Sequence, residues 1–164
     1  MSLKYFNTAV TFSEVPEEVT LCIELSNCPF NCEGCHSPYL RKDVGVYLTE
    51  KVLKELIKQN KGITCVAFMG GDSDIENLIK LLAFIKEHTH LKVCWYTGRL
   101  NLPEDKANTL LYLLDYVKFG PYIKELGGLD KKTTNQKFYK LIMLKEQLQF
   151  INITNKFSKH EIKN

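Results

Sequence analysis

Three cysteines stand close together in the amino-terminal part of the chain, in the pattern Cys28-x3-Cys32-x2-Cys35. The residues between them include proline, asparagine and glycine, which favour a loop with tight turns over a buried strand. Thiolates are the usual protein ligands of four-iron clusters, and such a cluster normally has four of them. A set of three would leave one iron open to a further ligand. The loop therefore predicts a [4Fe–4S] site with Cys28, Cys32 and Cys35 as the metal ligands.

A zinc ion is the main alternative for the same loop. His36 follows Cys35 directly, and the three thiols with this imidazole would form a Cys3His set. Neighbouring residues rarely both reach one tetrahedral ion, and the sequence has no second CxxC or HxxxH cluster of the kind that structural zinc sites combine. Three packing cysteines without metal are a further alternative, which the polar neighbours Asn31 and Glu33 disfavour. We therefore expect an iron–sulfur centre, with zinc as its rival.

Strand-like and helix-like segments alternate along the chain around this loop. Four apolar, β-branched runs indicate strands at 19–25, 63–68, 91–96 and 116–119, and a last strand is expected at 148–153. Alternation of this kind is typical of a parallel sheet with right-handed crossovers. Four or five units are too few for a closed barrel of about 250 residues. An α/β fold is therefore predicted, either a partial, open (βα) barrel or a small doubly wound sheet.

Glycine-containing loops follow three of the predicted strands, at Gly70-Gly71, Thr97-Gly98 and Gly120. In either architecture, chemistry gathers at the carboxyl ends of parallel strands, where the cysteine loop also lies. Glycine allows the backbone to approach a ligand closely, although a plain turn explains Gly70-Gly71 equally well when taken alone. Thr97 either caps its turn or donates a hydrogen bond to a bound cofactor.

These motifs together resemble the radical S-adenosylmethionine (radical SAM) enzymes. The cysteine pattern after the first strand matches the signature of that superfamily, and Met69-Gly70-Gly71-Asp72 is similar to its Gly-Gly-Glu motif, with an acid one methylene shorter. Further segments are similar to the activating proteins of anaerobic ribonucleoside-triphosphate reductases. The segments that carry this likeness are 35–38, 92–99, 115–122 and 133–137. The resemblance covers about residues 15–153.

The resemblance implies a fold, two cofactors and a reaction. The fold is a partial, open (βα) barrel of about five mostly parallel strands, in a single domain over 1–164 with its core at about 15–153 and a lysine-rich tail at 154–164. A [4Fe–4S] cluster would reductively cleave S-adenosylmethionine, and the radical formed would take hydrogen from a glycine of the reductase. The cofactor-binding residues that the resemblance implies are Gly34, His36, Gly70, Gly71, Asp72 and Thr97.

The implied partners are anaerobic ribonucleoside-triphosphate reductase and a one-electron donor such as flavodoxin or ferredoxin. An activase of a different glycyl-radical enzyme is the nearest alternative, although the extra ferredoxin-like cysteines of several such activases are missing here. A non-catalytic zinc-binding module is the alternative from another class of protein.

Composition and charge narrow the remaining possibilities. The chain has 164 residues, of which 45% are hydrophobic and 25% charged, as in ordinary globular proteins. A net charge of +3 is too small to indicate nucleic-acid binding. No apolar stretch of about 18 residues and no secretory signal are visible, and the cysteines do not form a disulfide framework, so we expect a cytoplasmic protein.

The basic residues are concentrated in the carboxyl-terminal part of the chain. Residues 118–164 contain ten basic and four acidic side chains, a net charge of +6. This surplus is either a solvated lysine-rich face or a surface for an acidic partner. Within it, Thr134, Asn135 and Gln136 are expected to shape either the cofactor mouth or the docking surface.

Overall fold

One open sheet of eight strands forms the centre of the part of the chain that the computed structural model describes, residues 2–158. The strands are β1 (Lys4–Thr11), β2 (Thr20–Leu25), β3 (Val46–Tyr47), β4 (Cys65–Met69), β5 (Lys92–Tyr96), β6 (Tyr116–Phe119), β7 (Lys137–Leu144) and β8 (Gln147–Asn152). Their order across the sheet is β3-β1-β2-β4-β5-β6-β7-β8. β3 and β8 are its edges, so the sheet does not close.

The four central strands agree with the prediction, whereas the flanking strands correct it. β2, β4, β5 and β6 lie parallel to one another, where the four apolar runs were expected. The pairings of β1 with β2 and β3, and of β7 with β6 and β8, are antiparallel. The fold is therefore a mixed α/β sheet in which antiparallel pairings outnumber parallel ones. The expectation of about five mostly parallel strands is wrong in both number and direction, and a partial barrel is not confirmed.

β8 agrees in position with the last predicted strand, 148–153, whereas β1, β3 and β7 were not predicted. β1 shows no regular alternation of polar and apolar residues, and its strand conformation depends on pairing with β2 from Tyr5 to Thr11. β7 forms a hairpin with β8, and its turn residues, Lys145 and Glu146, have φ angles of 48° and 65°. Two-residue hairpin turns of this left-handed kind usually contain asparagine or glycine. Because neither is present here, the sequence carries no turn signal.

Three helices cover one face of the sheet: α1 (Glu50–Gln59), α2 (Ile75–His88) and α3 (Ala107–Leu113). Thr49 caps α1, because its hydroxyl oxygen accepts a hydrogen bond from the Val52 amide. Buried leucines of the three helices pack against the apolar side chains of the central strands, including Phe68 and Trp95. This larger core fixes the helices beside the strands. None of the helices between residues 2 and 158 is long and apolar enough to cross a membrane.

A second, smaller core lies on the other face of the sheet and contains three cysteines outside the predicted metal loop. Cys22, Cys65 and Cys94 are buried there beside Tyr116 and Phe138. Burial raises the pKa of the Cys22 thiol to about 11 and raises those of Cys65 and Cys94 further. Their predicted role as packing residues is confirmed, because thiols in this setting behave as small apolar groups.

A buried polar network joins the amino ends of the parallel strands. Glu18 is 5% exposed and accepts hydrogen bonds from the hydroxyls of Thr64 (2.6 Å) and Tyr116 (2.7 Å) and from the Lys92 ammonium. Burial works to raise the pKa of Glu18, but these three donors outweigh it and hold that pKa below its usual value. The end of the sheet opposite the cysteine loop is therefore closed by paired polar groups.

The predicted tail begins in a short 3-10 helix, Thr154–Phe157. Its remaining part, from residue 159 onward, lies outside the described residues.

Candidate metal centre

A cavity of about 200 Å³ opens at the carboxyl ends of the four parallel strands. Six of the nine predicted site residues line it: Cys28, Cys32, Cys35, Gly70, Asp72 and Thr97. They come from the loops that follow β2, β4 and β5, which meet because the carboxyl ends of parallel strands share one edge of the sheet. The topology thus brings three separate stretches of sequence to one place.

Hydrogen bonds hold the cysteine loop against the cavity. The Cys28 amide donates to the Leu40 carbonyl (2.9 Å), and the Cys35 amide donates to the Cys32 carbonyl (3.3 Å). The Arg41 guanidinium also donates to the Cys32 carbonyl, through one Nη. Within residues 2–158, the Arg41 Nε is among the few buried side-chain nitrogens or oxygens without a hydrogen-bond partner. Arg41 lines the cavity, so this N–H is a donor available to a bound group.

All three loop cysteines are free thiols and only partly buried. Burial is the main cause that raises the pKa of Cys28, with smaller contributions from the nearby charges of Asp72, Cys32 and Cys35. Since metal ligation requires thiolates, binding of metal would release these protons. Among the residues that the structure describes, no three His, Cys, Asp or Glu side chains gather closely enough to hold a single metal ion. The three thiols line the cavity wall without meeting at one point.

Asp72 is held rigidly at the bottom of the cavity. Its side chain is 1% exposed, and its Oδ1 accepts hydrogen bonds from the Thr97 hydroxyl (2.5 Å) and from Arg99 Nε (3.0 Å). The Thr97 oxygen in turn accepts from the Arg99 amide (3.0 Å). Burial nevertheless raises the pKa of Asp72, against the effect of these two partners. The Thr97 hydroxyl therefore caps its turn, which is one of the two predicted roles, and also supports Asp72.

Gly70 and Gly71 have different surroundings, although both follow β4. Their φ angles of 104° and 97° are ones that other residues rarely adopt. Gly70 lines the cavity, and a Cβ placed on it would lie 3.3 Å from the Leu25 carbonyl oxygen. A Cβ on Gly71 would instead lie 2.9 Å from Leu25 Cδ1 and close to Leu78, inside the larger core. The structure therefore places Gly71 against the helices rather than on the cavity wall.

Lys118 is a functional candidate that the sequence analysis missed. It lies on β6, is 8% exposed, and lines the cavity together with the three cysteines. Its ammonium donates to the carbonyl oxygens of Gly120 (2.8 Å) and Thr97 (3.3 Å). Burial lowers its pKa to about 8, although the thiols and Asp72 act in the opposite direction. The sequence feature that could have identified Lys118 is its position as a single lysine in an apolar strand, directly before the loop that begins at Gly120.

A second opening of about 360 Å³ adjoins the first on the side of the smaller core. It shares Cys35, Lys118 and Tyr122 with the first cavity and also contains His36. The His36 ring is exposed and packs edge-on against Tyr122, with 5.5 Å between the ring centres. Gly34 has a φ angle of 69°, and a Cβ added to it would lie 3.3 Å from Cδ of the Lys124 side chain. His36 and Gly34 therefore lie beside the cysteines but outside the first cavity.

Thr134, Asn135 and Gln136 support the loop after β6. The side-chain nitrogen of Asn135 donates to the Pro121 carbonyl (2.9 Å), and that of Gln136 donates to the Gly120 carbonyl (3.4 Å). Gln136 lines both openings, and its backbone amide donates to the Thr134 hydroxyl oxygen (3.1 Å). Gln136 therefore forms part of the cavity wall, whereas Thr134 and Asn135 line neither opening; a role of these residues at a cofactor or in docking stays a prediction.

Comparison with known families favours the iron–sulfur alternative for the metal centre. A family model described as a 4Fe-4S single cluster domain matches residues 18–142, which is 125 of the 164 residues. The chain belongs to this 4Fe-4S single cluster domain family. The matched range includes the cysteine loop and all four parallel strands, so the family supports an iron–sulfur cofactor and is compatible with redox enzyme activity. No curated protein matches the chain.

The side chains at the cavity fit a cluster of this 4Fe-4S type. Cys28, Cys32 and Cys35 supply three ligands of the preferred chemical type. Arg41, whose Nε has no partner, and Lys118 line the same cavity, and cluster sulfur atoms accept hydrogen bonds. A three-thiol set next to N–H donors matches the donor chemistry of a cluster with one open iron.

Proposed function

We propose that the protein is a radical SAM activase that generates a glycyl radical on anaerobic ribonucleoside-triphosphate reductase. One observation carries the proposal: the three cysteines, Gly70 and Asp72, which the sequence separates, line one cavity. The three cysteines would hold the cluster, and the glycine turn and the fixed carboxylate beside them would form the binding site for S-adenosylmethionine. The proposed fold for this activity is a partial, open (βα) barrel, with the four parallel strands as its core.

Cys28, Cys32 and Cys35 would hold the [4Fe–4S] cluster, with one iron left open to the amino and carboxylate groups of S-adenosylmethionine. When bound, the cluster and S-adenosylmethionine together supply one-electron cleavage of the sulfonium and a carbon radical that takes hydrogen from glycine. The protein positions these groups and excludes competing reactions.

Asp72 would accept a hydrogen bond from the cofactor's amino group. Both hydrogen bonds from Thr97 and Arg99 fall on Oδ1, so we assign the N–H of that amino group to Oδ2. These two partners orient the carboxylate before the cofactor arrives, which lowers the entropic cost of binding. Gly70 lies at the same wall, where a side chain would occupy space that the methionine portion needs.

The reductase and the electron donor would approach the protein from outside. The second opening, lined by His36 and Tyr122, gives a macromolecular substrate access to the cysteine loop from the side. Lys131 and Lys132, in the loop between β6 and β7, are exposed and belong to the basic part of the chain. We assign them to docking of the reductase, and the electron to a cytoplasmic flavodoxin or ferredoxin.

Anaerobic reconstitution tests the proposal. Wild-type protein should bind iron and sulfide, and with dithionite it should cleave S-adenosylmethionine to methionine and 5′-deoxyadenosine. Cys32→Ala should lose both cluster and cleavage, whereas Cys65→Ala, in the smaller core, should keep both. Mixing with the reductase should then give a glycyl-radical signal in electron paramagnetic resonance.

Different failures of this experiment have different meanings. A colourless protein with one zinc ion would identify the zinc-binding alternative. Cofactor cleavage without a radical on the reductase, but with one on another glycyl-radical enzyme, would reassign the partner. A cluster without any cofactor cleavage would refute the radical SAM activity itself.

A further inference from the structure

Lys118 is a buried cation without a carboxylate partner. It is 8% exposed, and its two hydrogen bonds go to backbone carbonyls. Within residues 2–158, no ion pair to Lys118 is formed, whereas Arg99, at the same cavity, is paired with Asp72. Burying an unpaired charge is costly unless another charge compensates it. The position therefore indicates that an anionic group belongs in the cavity next to Lys118.

A cluster on the three cysteines would supply that anionic group. Cys28, Cys32 and Cys35 line the cavity with Lys118, and the one carboxylate among residues 2–158 that lines it, Asp72, is already paired with Arg99. A four-iron cluster on three thiolates carries net negative charge, and that charge increases on reduction. A nearby buried cation stabilises the reduced form more than the oxidised form, and net charge is one of the factors that set cluster potentials.

We propose that Lys118 raises the reduction potential of the cluster held by Cys28, Cys32 and Cys35. This inference rests on the cluster assignment of the proposed function, but not on the identity of the partner. Lys118 acts here as a tuning residue: reduction adds one electron from an external donor, and no bond is formed or broken. Raising the potential brings the cluster within reach of that donor.

The expected size of the effect follows from the cavity dimensions. A cavity of about 200 Å³ is roughly 7–8 Å across. At an effective dielectric constant of about 20, a unit charge at that distance changes an equilibrium more than tenfold. A tenfold change in a one-electron equilibrium corresponds to about 59 mV.

Potentiometric titration of the reconstituted protein, without S-adenosylmethionine, tests the inference. Lys118→Gln keeps N–H donors for the two carbonyls but removes the charge, and Lys118→Arg keeps the charge. We expect the ratio of reduced to oxidised cluster at a fixed potential to fall at least tenfold in Lys118→Gln. In Lys118→Arg it should stay within threefold of wild type.

Lys124→Gln is the matched control. Its side chain lies beside Gly34 of the cysteine loop but is exposed, so solvent and salt screen its charge. We expect a change below threefold, and less at high salt, whereas the effect of Lys118→Gln should persist at high salt because Lys118 is buried.

Each result decides the inference. Equal potentials for Lys118→Gln and wild type would overturn it, as would equal shifts in Lys118→Gln and Lys118→Arg, which would indicate a structural role. If Lys118→Gln and Lys118→Met both lose the cluster while Lys118→Arg retains it, charge compensation is supported; loss from Lys118→Arg as well overturns it. A wild-type cluster that shows the predicted shifts but cleaves no S-adenosylmethionine would refute the proposed function and leave this inference standing.

Discussion

Alanine substitution at three glycines should separate backbone strain, core packing and the cavity. Gly62, Gly70 and Gly71 have similar φ angles, 87°, 104° and 97°. A side chain at such an angle costs about 1–3 kcal/mol of stability wherever it occurs. The three sites differ in what the new Cβ would meet, so comparing them removes the shared cost.

The surroundings of each glycine determine the additional effect. A Cβ on Gly62 would have no atom within 4 Å, so Gly62→Ala measures the strain alone. In Gly71→Ala the Cβ would lie 2.9 Å from Leu25 Cδ1, and this crowding should cost a further ~1–3 kcal/mol. In Gly70→Ala the nearest atom is the Leu25 carbonyl oxygen at 3.3 Å, a smaller conflict beside the cavity.

Urea unfolding of the cluster-free proteins, kept reduced, measures these free energies. We expect Gly71→Ala to be about 1–3 kcal/mol less stable than Gly62→Ala, with an unchanged m-value. Among reconstituted proteins of equal iron content, Gly70→Ala should lose more affinity for S-adenosylmethionine than Gly71→Ala. If Gly71→Ala is as stable as Gly62→Ala and loses more affinity than Gly70→Ala, the assignment of Gly71 to the core is wrong.

The other predictions concern the residues that hydrogen-bond to Asp72, the polar network of Glu18 at the amino ends of the strands, and Lys131 and Lys132. Thr97→Val removes the hydroxyl that donates to Asp72, so we expect unchanged iron content and about tenfold weaker S-adenosylmethionine binding in equilibrium dialysis; unchanged affinity would contradict the supporting role. Because burial raises the pKa of Asp72, binding to its carboxylate should weaken as pH falls through that raised pKa, and Asp72→Asn should abolish this dependence on pH. Glu18→Gln should lower the free energy of unfolding at pH 7 by about 1–3 kcal/mol. The folded-state pKa of Glu18 lies below its ordinary value of 4.5, so its contribution to the free energy of unfolding is present above pH 4.5 and disappears as pH falls through the folded-state pKa. A stability difference between wild type and Glu18→Gln that stays constant down to acid pH would contradict this role of Glu18. Reversing Lys131 and Lys132 to Glu should slow glycyl-radical formation at low salt and leave S-adenosylmethionine cleavage by dithionite unchanged, whereas equal loss of both would place these lysines in the site or the fold.

Local sequence patterns were sufficient to identify the cysteine ligand candidates and the four parallel strands. Cys28, Cys32 and Cys35 lie within one short loop, so their spacing alone indicates a shared centre. The central strands are apolar runs buried on both faces, and this strong signal needs no knowledge of their neighbours. The meeting of the loops at one edge of the sheet then follows from parallel topology, which is why Gly70 and Thr97 were predicted together with the cysteines, whereas Asp72 was predicted from the resemblance.

Tertiary contacts decided the features that depend on distant partners. β1 is a strand because it pairs with β2, and its own residues indicate this only weakly. Gly70 and Gly71 are adjacent and identical in the sequence, yet only the packing of Leu25 and Leu78 shows that they face different environments. The pairing of Thr97 and Arg99 with Asp72, and the burial of Lys118 beside the cysteines, join loops that are more than twenty residues apart. Such contacts depend on how the strands are ordered and how far each loop reaches, and these are properties of the assembled sheet rather than of any segment within it.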